Sequence, residues 1–287
     1  MNRDNSIDAV AGILIIYMIL VHAFQCLGIY RGSLYHYMQY LTFYMPWFFF
    51  KGGVFYNPKK WKEIVAVGRK RLLCPFFKYS VIGYIVYVFT LIVSGDDNWI
   101  HYILTPIKSF LYYGSIPING PLWFLLTLFM VRLIAKPIVE SKSSVFIIGV
   151  SLFCFLTGLV FNSYNITEPN YLLNVVTGTA FFLLGYMFRD IQYMRFIGIV
   201  AAVSYVLLEM FAFSSVEMRH NLLESGSYPV WPIVCLSGII LSNNISKILH
   251  PKNSNIFVVA GRNSMTLLVW HYPIIVNMQT VYLFVFK

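Results

Sequence analysis

The sequence predicts an all-α protein, a polytopic integral membrane bundle of about nine or ten transmembrane helices. The first observation is the composition: 59% of the residues are hydrophobic and only 11% are charged, whereas an average soluble domain is about 25% charged. So few charges cannot cover a water-facing surface, which excludes an ordinary soluble enzyme and a disordered protein. The second observation is that the apolar residues fall into separate runs of about 20 residues, the length that crosses a bilayer.

Nine runs have this character, and turn-forming residues separate them. We find no internal repeat and no soluble appendage, so we expect residues 1–287 to form a single transmembrane domain. The runs cover residues 8–29, 35–56, 72–94, 120–140, 144–164, 170–188, 195–213, 228–246 and 264–286.

Lysine and arginine predict the orientation of the bundle. If the N-terminus is cytoplasmic and each run crosses once, fifteen of the 21 basic residues fall on the inner side. The four on the outer side are Arg31, Lys108, Arg219 and Lys287. This bias is strongly positive-inside. A tenth span at residues 98–117 would invert every later loop, so we interpret that segment as an outer interfacial or re-entrant piece; ten spans remain the alternative.

The net charge of +10 therefore indicates topology rather than nucleic-acid binding, and we expect no nucleic-acid partner. The four cysteines, Cys26, Cys74, Cys154 and Cys235, lie in apolar runs without a metal-ligand spacing. We expect no metal and no disulfide framework.

Two histidines stand out among the few titratable residues inside the predicted spans, where such groups are costly. His22 lies about 20 Å from the inner edge of the first run, with Gln25 on the same helix face. A histidine can transfer protons near neutral pH, and burial favours its neutral, basic form. His271 lies about two turns into the last run, so we expect the two histidines at different depths, without forming a metal pair.

A cationic mouth is predicted at the inner face. Lys51 ends the second run beside Gly52 and Gly53, which permit close backbone approach. A basic loop from Lys59 to Arg71 follows. Together they suit an anionic cytosolic donor, although topology alone also explains the loop.

Six short motifs resemble the acyltransferase 3 family, in the family's order and across the whole chain. They are residues 7–13 leading to His22, residues 45–50 followed by Gly53, residues 71–75, residues 120–125, residues 184–186, and residues 261–264 leading to His271. The resemblance implies a bacterial inner-membrane enzyme that takes an acyl group, usually acetyl, from cytosolic acetyl-CoA and passes it to a sugar hydroxyl of a surface glycan. It implies no permanently bound cofactor; acetyl-CoA is a co-substrate.

The resemblance also assigns residues. The family's essential histidine maps onto His22, and its serine or glycine after the aromatic cluster onto Gly52 and Gly53. The family commonly carries arginine where this chain has Ala11. We hypothesise that Lys51 replaces that cation, although a lysine is a point charge and not a fork.

The expected site thus has three parts. The catalytic candidates are His22, His271 and Asp8, with Asp8 orienting a basic partner near the inner edge. The donor candidates are Lys51, Gly52, Gly53, Arg69, Lys70 and Arg71. The acceptor candidates are Trp123, Trp99, His101, Asn263 and Ser264, although an interfacial aromatic belt also explains the tryptophans. His22 acts either as a base toward the hydroxyl or as an acyl carrier.

Two other classes of function remain open: a transporter or flippase for lipid-linked sugars or acyl intermediates, and a non-catalytic subunit of a glycan-assembly complex. A transporter predicts inverted repeats with broken helices, and we see no such symmetry. The expected partners are membrane lipid, acyl-CoA and a glycan acceptor, whose identity, like the oligomeric state, the sequence does not specify.

Overall fold

Helices make up nearly all the regular structure in the computed structural model, which describes residues 4–26 and 41–285. This confirms the predicted all-α class. The helices are α1 Asn5–Cys26, α2 Tyr44–Val54, α3 Trp61–Gly68, α4 Cys74–Ser94, α5 Trp99–Tyr113, α6 Trp123–Glu140, α7 Ser144–Ser163, α8 Asn170–Phe188, α9 Arg195–Phe211, α10 Trp231–Leu249, α11 Ile256–Arg262 and α12 Ser264–Val285.

Six helical segments of the described chain are long and apolar enough to cross a membrane, so the protein is a multi-pass membrane protein. They are Asn5–Cys26, Trp61–Ser94, Gly120–Glu140, Ser144–Ser163, Asn170–Phe188 and Trp231–Leu249. Helices α9 and α12 overlap two further predicted runs. The 35–56 run begins outside the described residues and continues as α2. Helix α5, with 15 residues, spans only about 22 Å, short of a ~30 Å hydrocarbon core. The total number of crossings stays a prediction.

The basic segment that was expected to be a loop is mostly helical. Helix α3 and a π-helical turn, Arg69–Leu73, lead without a break into α4. Helix α3 buries Ile64 and Gly68 and exposes Lys62. Lys59, which precedes the helix, is 3.7 Å from the Glu63 carboxylate in its first turn. The segment was predicted to be a loop because its many basic residues made the amphipathic pattern of α3 hard to recognise in the sequence.

A β-hairpin joins α9 to α10, and the sequence analysis did not anticipate it. Strands β1 Ser215–Glu217 and β2 Leu222–Ser225 pair antiparallel, with Glu217 opposite Leu222. These strands are too short to give a period-two pattern in the sequence.

Glycines set the closest helix contacts. A Cβ on Gly12 would lie 1.8 Å from the Phe257 carbonyl oxygen, and one on Gly261 would lie 1.7 Å from the Asp8 carbonyl oxygen. Backbone contact this close requires glycine on both helices. It therefore fixes where α1 meets α11, and with it the position of α12.

Candidate active site

His22 lies on α1, one turn before the helix ends. Its Nδ1 is 3.1 Å from the side-chain oxygen of Gln25. That amide oxygen only accepts hydrogen bonds, so Nδ1 donates and Nε2 keeps the basic lone pair of the neutral ring. The predicted i,i+3 partnership between these residues therefore orients His22 as a base.

His271 lies directly against His22. The two rings stack with centroids 5.3 Å apart and planes inclined by 27°. Nδ1 of His271 is 3.0 Å from the Leu267 carbonyl and 2.9 Å from the Leu268 carbonyl. Since carbonyls only accept, Nδ1 donates, and the buried Nε2 has no hydrogen-bond partner among the described residues.

The expectation that the two histidines lie at different depths was wrong. The depth of His271 was counted from the start of α12 at Ser264, but the chain already runs beside α1 along α11. Gly12 contacts Gly261, and each histidine follows its glycine by ten residues. At a rise of 1.5 Å per residue, both helical segments extend about 15 Å from that contact to their histidine, so the two rings lie at the same level.

A cavity of about 350 Å³ opens beside His22. This volume is within the range of small-molecule sites, about 300–1,000 Å³. Its walls come from α1, the start of α2, the beginning of α6, the β-hairpin and α12. They include Tyr17, Met18, Val21, His22, Gln25, Thr42, Tyr44, Met45, Pro121, Trp123, Ser215, Val216, Glu217, Met218, Arg219, His220, Glu224, Leu268 and Tyr272.

The hairpin contributes charged side chains that sequence reasoning missed as site residues. Glu217, Arg219, His220 and Glu224 all line the cavity. The available signal was their density, because four titratable residues occur within eight positions of a charge-poor chain. In the sequence Arg219 is visible only as one of the four basic residues of the predicted outer loops.

Hydrogen bonds fix the electrostatics of the hairpin. The Glu217 carboxylate accepts from the backbone N–H of Arg219 at 3.1 Å and of His220 at 3.1 Å, and it also contacts the His220 ring. Burial raises the pKa of the Glu224 carboxyl, while the hydrogen bond from the Ser215 hydroxyl lowers it in part. Burial lowers the pKa of the Arg219 guanidinium, while the nearby Glu217 carboxylate raises it.

A smaller apolar pocket of about 60 Å³ adjoins the main cavity, and the two share Met18, Met45 and Leu268. Its remaining lining is Ile15, Phe48, Phe124, Ser264 and Met265. Ile15 precedes His22 by seven residues and Ser264 begins α12, so this pocket extends from the histidines toward the predicted inner face.

The predicted acceptor residues separate in space. Trp123 lines the cavity and Ser264 lines the smaller pocket. Trp99 is 61% exposed on α5, and the His101 ring is 2.6 Å from Asp96. Asn263 is exposed and donates to the Val259 carbonyl. Neither pocket is lined by Trp99, His101 or Asn263.

The predicted donor residues lie outside both pocket linings. The Lys51 ammonium is 5.2 Å from the centre of the Trp47 ring. Gly52 and Gly53 pack against Phe182 of α8. This close helix packing explains why glycine occupies both positions. The basic triplet Arg69, Lys70 and Arg71 is exposed in the π-helical turn. Their contribution to donor binding stays a prediction.

Asp8 lies in the first turn of α1 and is paired with a basic residue of α11. Its carboxylate is 3.4 Å from Nε of Arg262, whose Nη2 donates to Asn5 and to Asn253. Fourteen residues, roughly 21 Å of helix, separate Asp8 from His22. The pair ties α11 to α1 and stands apart from the cavity.

The acyltransferase 3 family model, described as an acyltransferase domain, matches residues 4–286. The chain belongs to the acyltransferase 3 family. It is therefore a membrane acyltransferase, and the family resemblance drawn from the six motifs is confirmed. A search of curated proteins and a search of solved structures found no match.

Proposed function

We propose that this membrane acyltransferase moves an acetyl or other short acyl group from acyl-CoA to a sugar hydroxyl of a surface polysaccharide or its lipid-linked precursor. The observation that carries the proposal is the position of His22, oriented by Gln25 at the wall of a cavity large enough for a sugar residue. Trp123 in the same wall supports the acceptor class, because an aromatic face suits a sugar ring.

His22 acts as the general base. Nε2 takes the proton of the sugar hydroxyl as its oxygen attacks the thioester carbonyl. A new ester C–O bond forms, the C–S bond breaks, and the proton passes from His22 to the departing CoA sulfur. His271 is a positioning residue, because its ring packs against His22 while its own Nδ1 is held by backbone carbonyls.

The donor enters from the cytosolic side of the bacterial inner membrane, where the N-terminus also lies. Lys51 and the Arg69–Lys70–Arg71 triplet hold the CoA phosphates at the inner mouth. The apolar pocket supports a path for the acyl end of the donor, because it shares Met18, Met45 and Leu268 with the main cavity. This route places the donor and the acceptor on opposite sides of one histidine.

Acyl transfer from radiolabelled acetyl-CoA to the host's surface glycan, measured in membrane vesicles, tests the role of His22. We expect His22→Ala to lose about 10³-fold in kcat, within the usual range for a general base. His250→Ala is the matched control, because His250 is an exposed histidine after α10. Full transfer by a folded His22→Ala variant would refute the mechanism and favour the transporter or the non-catalytic subunit.

The donor site has its own test. We expect Lys51→Ala to raise the KM for acetyl-CoA about tenfold with little change in kcat, since the lysine binds a group remote from the reacting atoms. Lys108→Ala, on α5, is the control. Unchanged kinetics in Lys51→Ala would show that Lys51 does not replace the cation missing at Ala11.

A further inference from the structure

The guanidinium of Arg219 lies in the hairpin wall of the cavity that His22 also lines. Its Nη2 donates to the Ser115 hydroxyl at 3.1 Å. Its Nε is buried and has no hydrogen-bond partner among the described residues. None of the ion pairs within 4.0 Å in the described chain includes Arg219. A half-buried cation is thus held by a hydroxyl and not by a carboxylate.

The neighbouring carboxylates are committed elsewhere. Glu217 accepts hydrogen bonds from the backbone of Arg219 and His220 and contacts the His220 ring. Glu224 accepts from the Ser215 hydroxyl at 3.0 Å. Neither carboxylate forms an ion pair with the guanidinium, so this cation in the cavity wall has no directly bonded counter-ion among the described residues, although the nearby Glu217 carboxylate raises its pKa.

The surroundings make room for this guanidinium. A Cβ on Gly120 would lie 3.0 Å from Nη1 of Arg219, and Gly120 begins the short turn that leads to Trp123. Because Gly120 has no side chain, the fork of Arg219 lies against the backbone that opens α6. A half-buried cation without a directly paired carboxylate is more stable when it gains an anionic partner.

We propose that the acceptor is an anionic glycan, and that Arg219 binds its carboxylate or phosphate inside the cavity. The inference rests on the proposed function and names its acceptor class. Arginine suits this role because its planar fork binds carboxylate and phosphate through two parallel hydrogen bonds. A negative group on Arg219 anchors a sugar whose hydroxyl then lies toward His22. Arg219 acts here as a specificity residue.

Ligand binding to the purified, full-length His22→Ala variant tests this without acyl transfer. Glucuronate and glucose 1-phosphate distinguish carboxylate from phosphate, and glucose is the neutral probe. We expect at least one anion to raise the thermal midpoint while glucose does not, and Arg219→Gln to weaken that anion's binding about tenfold or more. Arg219→Lys retains part of the binding because it keeps the charge.

Two controls separate ligand binding from folding. Ser115→Ala removes the hydroxyl partner of Arg219 but keeps the cation, so anion binding persists. Arg189→Gln changes an exposed arginine paired with Asp190 and leaves binding unchanged. Equal stabilisation by glucose, no stabilisation by either anion, or an unchanged affinity in Arg219→Gln would each overturn the inference.

Failure of the proposed function looks different. If the anions bind through Arg219 but His22→Ala keeps acyl transfer, the acceptor site stands and the His22 mechanism fails. If transfer depends on His22 but neutral and acidic glycans are acylated equally well by both the Arg219→Gln variant and the parent protein, the mechanism stands and the role of Arg219 fails.

Discussion

Gly53→Ala tests whether the glycine pair of α2 serves helix packing or donor binding. In the structure a Cβ on Gly53 would lie 1.8 Å from the carbonyl oxygen of Phe182 and 2.8 Å from the backbone nitrogen of Tyr186. Ordinary contact begins at 3.4 Å, so α2 and α8 must separate by about 1.6 Å. A gap of even 0.5–1 Å loses a quarter to a half of each dispersion contact.

The expected cost is about 3 kcal/mol, the upper end of the usual overpacking range, because the obstacle is backbone and cannot rotate away. On a chain of this size that corresponds to a fall of roughly 6–10 °C in the thermal midpoint. A Cβ on Gly52 would meet side chains and not backbone, the Phe182 ring at 3.1 Å and Leu128 at 3.4 Å, so we expect Gly52→Ala to cost about 1 kcal/mol.

The assay is thermal unfolding of the detergent-solubilised protein, with the KM for acetyl-CoA measured on the same preparations. Gly149→Ala is the matched control, because no atom lies within 4 Å of a Cβ at that position of α7. An unchanged midpoint in Gly53→Ala would refute the packing argument. An unchanged midpoint together with a raised KM would instead assign the glycine to the donor.

Four further predictions follow from the geometry. His271→Ala should lower kcat about tenfold with an unchanged KM for acetyl-CoA, and His271→Phe should restore most of it by keeping the ring contact; equal loss in both variants would refute a role limited to packing. Asp8→Asn should lower stability by about 2 kcal/mol through loss of its partly buried pairing with Arg262, with kcat retained; a lost kcat in the folded variant would contradict this. Met18→Ala should raise the rate with butyryl-CoA relative to acetyl-CoA about tenfold, because Met18 separates the cavity from the apolar pocket; an unchanged ratio would exclude that path. Glu224→Gln should raise the thermal midpoint more at pH 8 than at pH 5. Burial raises the pKa of this carboxyl in the folded protein, so its ionisation lowers the free energy of unfolding as the pH rises above the unfolded pKa of about 4.5. A gain that does not depend on pH would contradict the burial effect.

Part of the site was predictable from the sequence because single residues indicated it by their type and position. His22 is a titratable group inside an apolar run, and Gln25 follows it at i+3 on the same face. Trp123 was a candidate because an aromatic face suits a sugar ring, and it does line the cavity. These signals depend only on residue type and on spacing within one helix.

The remainder depended on how separate segments meet. Asn263 and Trp99 have suitable chemistry but do not belong to the lining of either pocket. Arg219 and Glu217 were visible only as loop charges, because nothing in the sequence indicates that a hairpin between two spans lies against a helix more than 190 positions earlier. The level of His271 depended on the Gly12–Gly261 contact.

The sequence by itself determined the membrane class, the helical fold and the acyltransferase 3 family. It could do so because hydropathy and charge act residue by residue along one chain, and because the family motifs are local. Only the tertiary structure decided that His271 stacks on His22 and that the hairpin carries Arg219 into the same cavity. Such arrangements depend on where helix backbones touch, and that requires two distant segments to be complementary at one point. Neither segment contains that information alone.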